Sequence, residues 1–335
     1  MPEPSTAILL TGAGFTHNFG SYLARDMWAQ IFNHEAVQKH SSVQRAMRNS
    51  DSFNFEAAYD DILYGDFREE EKTAIVEGLS AAFANLDEIV TEFNDTPSSI
   101  PLNSLARFIE RFAGTPGNPG YIFTLNQDLF MERQVPFDGV LTTLPGLKQG
   151  DRFNRNTFRH RPLDSIRLQL PSEDEVKGCE DAYPKGAQHL VYVKLHGSTE
   201  WRGHDGSVRP VIGRQKTKII DQEPLLRWYA RLFQQAITTP PNRKLLVIGY
   251  GFEDPHINDT IRLACADHGL RLYVVDPAEP GDLLWKKLRD WSDQSWRGWA
   301  GYFRCTLHDL FARSNPTAQG KIFLRNILHA LFELP

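Results

Sequence analysis

Three groups of residues carry side chains suited to chemistry at a ligand site, and each directly follows a short apolar run. Asn126 and Asp128 follow "YIFTL"; His196 follows "VYVKL" and leads into Gly197 and Ser198; Gly249, Tyr250 and Gly251 follow "LLVI". An imidazole, with an ordinary pKa of about 6.5, takes up and releases protons at neutral pH. An amide and a carboxylate beside it can hold a water or a sugar hydroxyl. A fourth group opens the chain, where "AILLTGAGFTHNFG" (7–20) breaks from an apolar run into Gly12-Ala13-Gly14. Such glycines let backbone N–H groups approach a pyrophosphate. The spacing is not the G-x-G-x-x-G of dinucleotide-binding dehydrogenases, because His17 stands where the third glycine belongs. Taken singly, each group also has a plain structural reading: Asn and Asp cap helices or make Asx turns, a histidine closes a strand, and Gly-Tyr-Gly makes a tight turn.

These groups need strands to position them. The runs "AILLTG" (7–12), "YIFTLN" (121–126), "LVYVKLHG" (190–197), "KLLVIGYG" (244–251) and "RLYVVDP" (271–277) are short, apolar and ended by Gly, Asn or Asp, as buried strands are. Helical patterns lie between several of them. In "PHINDTIRLACADHG" (255–269), Ile257, Ile261, Leu263 and Ala264 are expected on one face, with His268-Gly269 as the stop. Strand, helix, strand in that order predicts an α/β fold on a parallel sheet. Ligands of such sheets bind at the carboxyl ends of the strands, where all four groups stand.

Between the first two strands, about 27–118, no strand pattern occurs; "FEAAYDDILYG" and "EEKTAIVEGLSAAFANLDEIVTEF" mark a helical insertion. A second insertion, about 145–189, is rich in Pro, Gly, Arg and Asp and reads as irregular. Its "RFNRNTFRHR" (152–161) carries four arginines and one histidine, most simply a solvated or salt-bridged loop. "WSDQSWRGWAGYFRC" (291–305) gathers three tryptophans, a composition of core or interface.

Composition narrows the classes. The 335 residues, 41% apolar and 24% charged, can form a packed core. A net charge of −5 gives no global reason to bind nucleic acid or an anionic membrane directly. The start "MPEPSTAILL" is not a signal peptide, and no apolar run is long enough to span a bilayer, so a cytoplasmic protein is expected. Cys179, Cys265 and Cys305 are too dispersed for a disulfide framework or a C-x-x-C metal knuckle and are expected as reduced, buried or half-buried thiols.

Together and in order, the four groups resemble the sirtuins, and among them the SIR2-like proteins of bacterial antiphage defence. "GAGFT" (12–16) is similar to the G-A-G-x-S phosphate loop, with Thr16 keeping the serine's hydroxyl. "TLNQD" (124–128) resembles T-x-N-x-D, and "KLHGS" (194–198) the catalytic histidine motif. "GYGFEDPHI" (249–257) with "VVDP" (274–277) resembles the glycine turn and ribose-binding strand end. The resemblance implies a single SIR2-like domain over 1–335, with a Rossmann-like (sirtuin/DHS-like) NAD-binding core from about 5–26, 119–144 and 190–312. It implies NAD as substrate, with His196, Asn126 and Asp128 catalytic: His196 takes a proton from a ribose hydroxyl or water, Asn126 holds water or ribose, and Asp128 orders the loop. Gly12, Ala13, Gly14, Phe15, Thr16, Gly249, Tyr250, Gly251 and Asp276 would line the dinucleotide. Nicotinamide leaves as a neutral group, so the difficulty is the oxocarbenium-like charge on the ribose, not protonation of the leaving group.

The chain also departs from the deacylases. It lacks their two C-x-x-C pairs, so no structural zinc and no other metal is expected, although His256, His268 and His308 remain available for a site assembled by the fold. The region "RPVIGRQKTK" (209–218) does not carry the motif that pairs with an acyl-lysine peptide. Without that acceptor, water is the nucleophile, and an NAD hydrolase that depletes NAD is the leading expectation. A protein deacylase or ADP-ribosyltransferase, and a non-catalytic NAD sensor or scaffold, are the alternatives. An ungated hydrolase would be toxic, so its activity must await a second event. A homo-oligomer is expected, with a second protein that senses the trigger, such as a HerA-type ATPase or a short Argonaute. The helical insertion and "RFNRNTFRHR" are the surfaces expected to carry assembly.

Overall fold

The computed structural model describes residues 7–50, 53–93, 100–136, 142–143, 146–147, 161–183, 189–203, 211–213, 215–282, 287–311 and 317–334. Its centre is a parallel sheet of seven strands: β1 (Ala7–Thr11), β2 (Gly120–Thr124), β3 (Thr142–Thr143), β5 (Leu190–Lys194), β7 (Lys244–Ile248), β8 (Arg271–Val275) and β9 (Trp299–Phe303), in the order β3-β5-β2-β1-β7-β8-β9. A second, two-stranded ladder pairs β4 (Leu168–Gln169) with β6 (Trp201–Arg202). All residues of β1 and β5 are buried, so both faces of the central sheet are covered, as parallel sheets require.

Register places the site. Thr11 pairs with Thr124 and with Ile248, Thr124 pairs with Lys194, and Ile248 pairs with Val275. The next residues, Gly12, Leu125, Leu195, Gly249 and Asp276, therefore leave the sheet at one level. The chain passes from β1 to β2 on one side and later returns to lay β7 on the other. The loops after β1 and β7 thus bracket the switch point at which ligands of open α/β sheets bind.

The first two strands are separated by α1 (Ala13–His17), α2 (Ala24–Phe32), α3 (Glu35–Gln38), α4 (Ser41–Asn49), α5 (Phe55–Tyr64), α6 (Glu69–Glu92) and α7 (Leu102–Glu110). Asn54 starts α5 by accepting from the Glu56 and Ala57 N–H groups at 3.0 and 3.2 Å. The remaining helices are α8 (Phe130–Gln134), α9 (Glu173–Ala182), α10 (Lys216–Gln222), α11 (Pro224–Thr238), α12 (Pro255–Asp267), α13 (Asp293–Trp296), α14 (Leu307–Phe311) and α15 (Ala318–Phe332).

The five strands expected from apolar runs coincide with β1, β2, β5, β7 and β8. The stretch read as irregular contains α9, whose Glu175 reaches back to the Ser172 N–H at 2.9 Å. On α12 the buried residues are Ile257, Ile261, Ala264 and Cys265; Leu263, expected with them, is 45% exposed. It stands six positions after Ile257, on the opposite side of a 3.6-residue turn. Trp291, Trp296 and Trp299 form a triangle with ring centroids 5.4 to 6.1 Å apart. Cys265 and Cys305 are buried and Cys179 half-buried, each outside any disulfide, and burial pushes the first two up to about 12. Of "RFNRNTFRHR", all but Arg161 lies outside the described residues. No helix among the described residues is long and apolar enough to cross a membrane.

Candidate active site

The glycines at the head of the site hold two loops together. The N–H groups of Gly12 and Gly14 donate to the carbonyls of Ile248 and Gly249 at 3.1 and 2.9 Å. Gly249 has φ +65°, and a Cβ there would lie 2.2 Å from the Phe15 nitrogen and 2.4 Å from the Gly14 carbonyl carbon. Only glycine at this position lets the loops after β1 and β7 meet. Ala13 is the member of the loop whose N–H has no partner among the described residues. The Phe15 ring is fully buried in the core, 6.1 Å from Phe19. Tyr250 is also buried; its hydroxyl accepts from the Asp254 N–H at 3.1 Å and lies 2.9 Å from Asn258 Oδ1, which fixes the start of α12. Gly251 is open, with Lys287 Nζ 3.7 Å from a hypothetical Cβ. Asp276 accepts from the Ala278 N–H at 2.7 Å through Oδ1, and burial raises its carboxyl above the ordinary value.

Thr16, Asn126 and Asp128 do converge. The Thr16 hydroxyl donates to Asp128 Oδ2 at 3.0 Å and accepts from Asn126 Nδ2 at 3.2 Å. Asp128 Oδ1 accepts from the Phe130 N–H at 2.9 Å, so this carboxylate both starts α8 and orients the hydroxyl. Beneath lies Lys194, 1% exposed, whose ammonium contacts the Asp128 carbonyl oxygen and Glu132 Oε1, the latter at 2.9 Å. Ser198 donates to Glu200, a second buried carboxylate of this cluster. Burial pushes Glu132 up to about 7, with Lys194 pulling it down and Glu200 adding to the rise. One ammonium serves two buried carboxyls.

His196 is 4% exposed, and its Nε2 lies 3.2 Å from His256 Nε2. Burial lowers His196 to about 3, against the pull of Asp254, with Lys216 and His256 lowering it further. The ring is therefore neutral at physiological pH. His256 is lowered for the same leading reason. Lys216 donates to Asp254 Oδ1 at 2.6 Å and pairs with Glu56 of α5 at 2.8 Å. Burial raises the Asp254 carboxyl, but His196 and Lys216 outweigh it and the net shift is downward. The loops carrying Asn126 and His196 are tied to each other: the Thr199 N–H donates to the Gln127 carbonyl at 3.1 Å and the Gln127 side chain to the Val211 carbonyl at 3.1 Å. Among the described residues no group bonds to His196 Nδ1 or Asn126 Oδ1, and neither is a sealed, unpaired atom of the interior.

The donor atoms of His196, Asp254 and His256 lie within 4.8 Å of one another. Asp254 is ion-paired to Lys216, which it shares with Glu56, and the two imidazoles are joined to each other through their Nε2 atoms. His268 instead ends α12, and His308 Nε2 lies 3.2 Å from the Asn18 carbonyl. Sequence reading gives Lys194, Glu132, Glu200, Asp254 and Lys216 no role. One signal was available: a lysine inside the apolar run "VYVKL" must find buried carboxylates. Glu56 and Lys216, 160 residues apart, leave no such mark.

A family model described as the SIR2-like domain matches residues 120–295, a stretch that holds Asn126, Asp128, His196, Gly249 and Asp276 but not Gly12–Thr16. Among curated proteins nothing matches the chain. SIR2-like domains bind NAD. With that match spanning more than half of its length, and with a parallel α/β sheet that brings Thr16, Asn126 and Asp128 together at the strand ends, the chain belongs to the SIR2-like domain family.

Proposed function

We propose that the chain is an NAD glycohydrolase that releases nicotinamide and ADP-ribose. The observation that carries this reading is the pair of polar atoms left without a partner among the described residues, Asn126 Oδ1 and His196 Nδ1, on adjacent loops at the carboxyl ends of β2 and β5. Asn126, held by the Thr16 hydroxyl, orients a water or the ribose without adding charge. A neutral His196 takes the proton from water as the C1′ carbon of the ribose gains the water oxygen and loses the nicotinamide nitrogen. The nicotinamide departs with its bonding electron pair, and the proton passes to solvent. On this reading the open Gly251, the Ala13 N–H and Asp276 face the dinucleotide, while Gly12, Gly14 and Gly249 hold the loops and Phe15 and Tyr250 support them from the core.

The proposal extends to the biological setting: an NAD-depleting effector of antiphage defence, oligomeric and gated by a second protein such as a HerA-type ATPase or a short Argonaute. Incubation of the purified protein with NAD and an acetylated peptide, followed by chromatography, tests the chemistry. Nicotinamide and ADP-ribose in equal amounts with the peptide intact support hydrolysis; peptide-dependent nicotinamide release overturns it. Light scattering with turnover tests the setting, which a fully active, partner-independent monomer would refute.

A further inference from the structure

We propose that His256 is a positioning residue for His196, fixing its tautomer through a shared Nε2···Nε2 proton and accepting part of the positive charge when His196 is protonated. The inference rests on the reading of His196 as the base. The two nitrogens are 3.2 Å apart, within hydrogen-bond range for imidazoles, and since neither ring is charged at neutral pH one must donate and the other accept. If His196 donates from Nε2, its Nδ1 keeps the lone pair, and Nδ1 is the atom with no partner among the described residues. The same bond leaves His256 protonated on Nδ1, with its Nε2 lone pair turned to His196.

The need for such a partner follows from the surroundings. His196 and His256 face Asp254, Lys216 and each other; Lys216 in turn faces Glu56. An imidazolium formed at His196 alone would be a buried charge beside a lysine. Delocalised across the pair, it moves toward Asp254, the one carboxylate close to both rings among the described residues. This places His256 where the acidic residue of a hydrolytic triad stands, with an imidazole as the intermediary.

Selective ¹⁵N-histidine labelling of the full chain, without NAD, reads the tautomer directly. The expected result is a His196 resonance pair, assigned by its loss in His196→Gln, of the Nε2–H form at pH 7. In His256→Ala it should become a mixture, and His256→Gln, whose amide can still accept, should restore it. In turnover, His256→Ala is expected to lose about 10- to 100-fold in kcat with little change in KM and with its acid limb displaced, up to the lower limit of what direct proton-transfer assistance contributes. A His196 spectrum unmoved by His256→Ala overturns the proposal, as does one metal ion per chain lost in that variant. Since the spectrum needs no turnover, failure of the hydrolase reading alone would leave the tautomer result standing.

Discussion

The Thr16–Asn126–Asp128 cluster and the His196–His256–Asp254–Lys216–Glu56 cluster stand at the same end of the same sheet, and they are held by different forces. In the first, ordinary hydrogen bonds join a hydroxyl, an amide and one carboxylate, drawn from α1 and the loop after β2 and seated on Lys194. In the second, charge runs from the imidazoles through Asp254 and Lys216 to Glu56, which belongs to a helix between β1 and β2. The first cluster is fixed wherever the sheet is fixed. The second reaches outside the sheet, because its Lys216 is shared between Asp254 and Glu56 of α5, so a shift of that helix would be felt at the two imidazoles.

The largest effect expected from breaking this contrast lies under the first cluster. Lys194→Met removes the only ammonium in contact with Glu132 among the described residues and leaves Glu132 and Glu200 buried together. Removing one partner of a buried pair costs roughly 3–5 kcal/mol. Urea unfolding should show a loss of that size, or the chain should fail to fold at 37 °C. By contrast Lys216→Met, whose partners Asp254 and Glu56 are less deeply buried, should remain folded at 25 °C; equal losses would erase the distinction.

His196→Ala and Asn126→Ala should each lower NAD turnover by at least about 10²-fold, the usual scale for removing a proton-transfer or positioning group. Circular dichroism and unfolding midpoints should stay near wild type, because both side chains keep an unengaged polar atom at a loop. The two variants should differ in one respect: Asn126→Ala keeps the wild-type pH profile, whereas any residual activity of His196→Ala loses its acid limb. A soluble His196→Ala protein with near-normal turnover would sink both roles.

The glycine contacts give a smaller, purely structural effect. Gly249→Ala must place a Cβ 2.2 Å from the Phe15 nitrogen at φ +65°, with strain of about 1–3 kcal/mol. Gly251→Ala meets the ends of flexible side chains, Lys287 Nζ at 3.7 Å and Glu253 Cγ at 3.9 Å, in ordinary contact and should be stability-neutral within about 0.5 kcal/mol. Paired denaturation curves decide whether loop contact or ligand approach explains each glycine.

Much of this was legible from the chain. The strands were, because five buried runs end in Gly, Asn or Asp and parallel strands are apolar throughout. The convergence of Asn126, Asp128 and Thr16 was legible as order along the chain. The bonds that join them were not, because a hydroxyl bridging residues 110 and 112 positions away depends on register between β1 and β2. The role of Gly12 and Gly14 in loop-to-loop contact was hidden for a related reason: a glycine that admits a phosphate and one that admits a neighbouring backbone read alike. Helix α9 was missed since Pro and Gly on both sides outweighed a capping signature, "SEDE", four residues long. Leu263 lies off the expected face because the 100° step per residue carries it to the far side of α12 from Ile257 and Ile261.

A further effect concerns acid stability, and it separates the two clusters by sign. His196 and His256 have folded values below the ordinary imidazole, His196 at about 3. A lowered folded pKa means that the unfolded chain binds the proton more readily. Stability from these rings is therefore complete above about pH 6.5 and is lost as pH falls toward about 3. Glu132 has the opposite sign: raised from 4.5 to about 7, its contribution is present below about 4.5 and is lost as pH rises through 7. The clusters thus press the optimum from both sides. Each imidazole can contribute at most about 1.4 kcal/mol per pH unit to the slope, the value of one proton. Urea unfolding of wild type and His196→Gln at half-unit steps from pH 4.5 to 8 measures it. The variant should show a shallower fall below pH 6.5 and an unchanged limb above 7; identical acid slopes would mean that His196 is not held neutral in the fold.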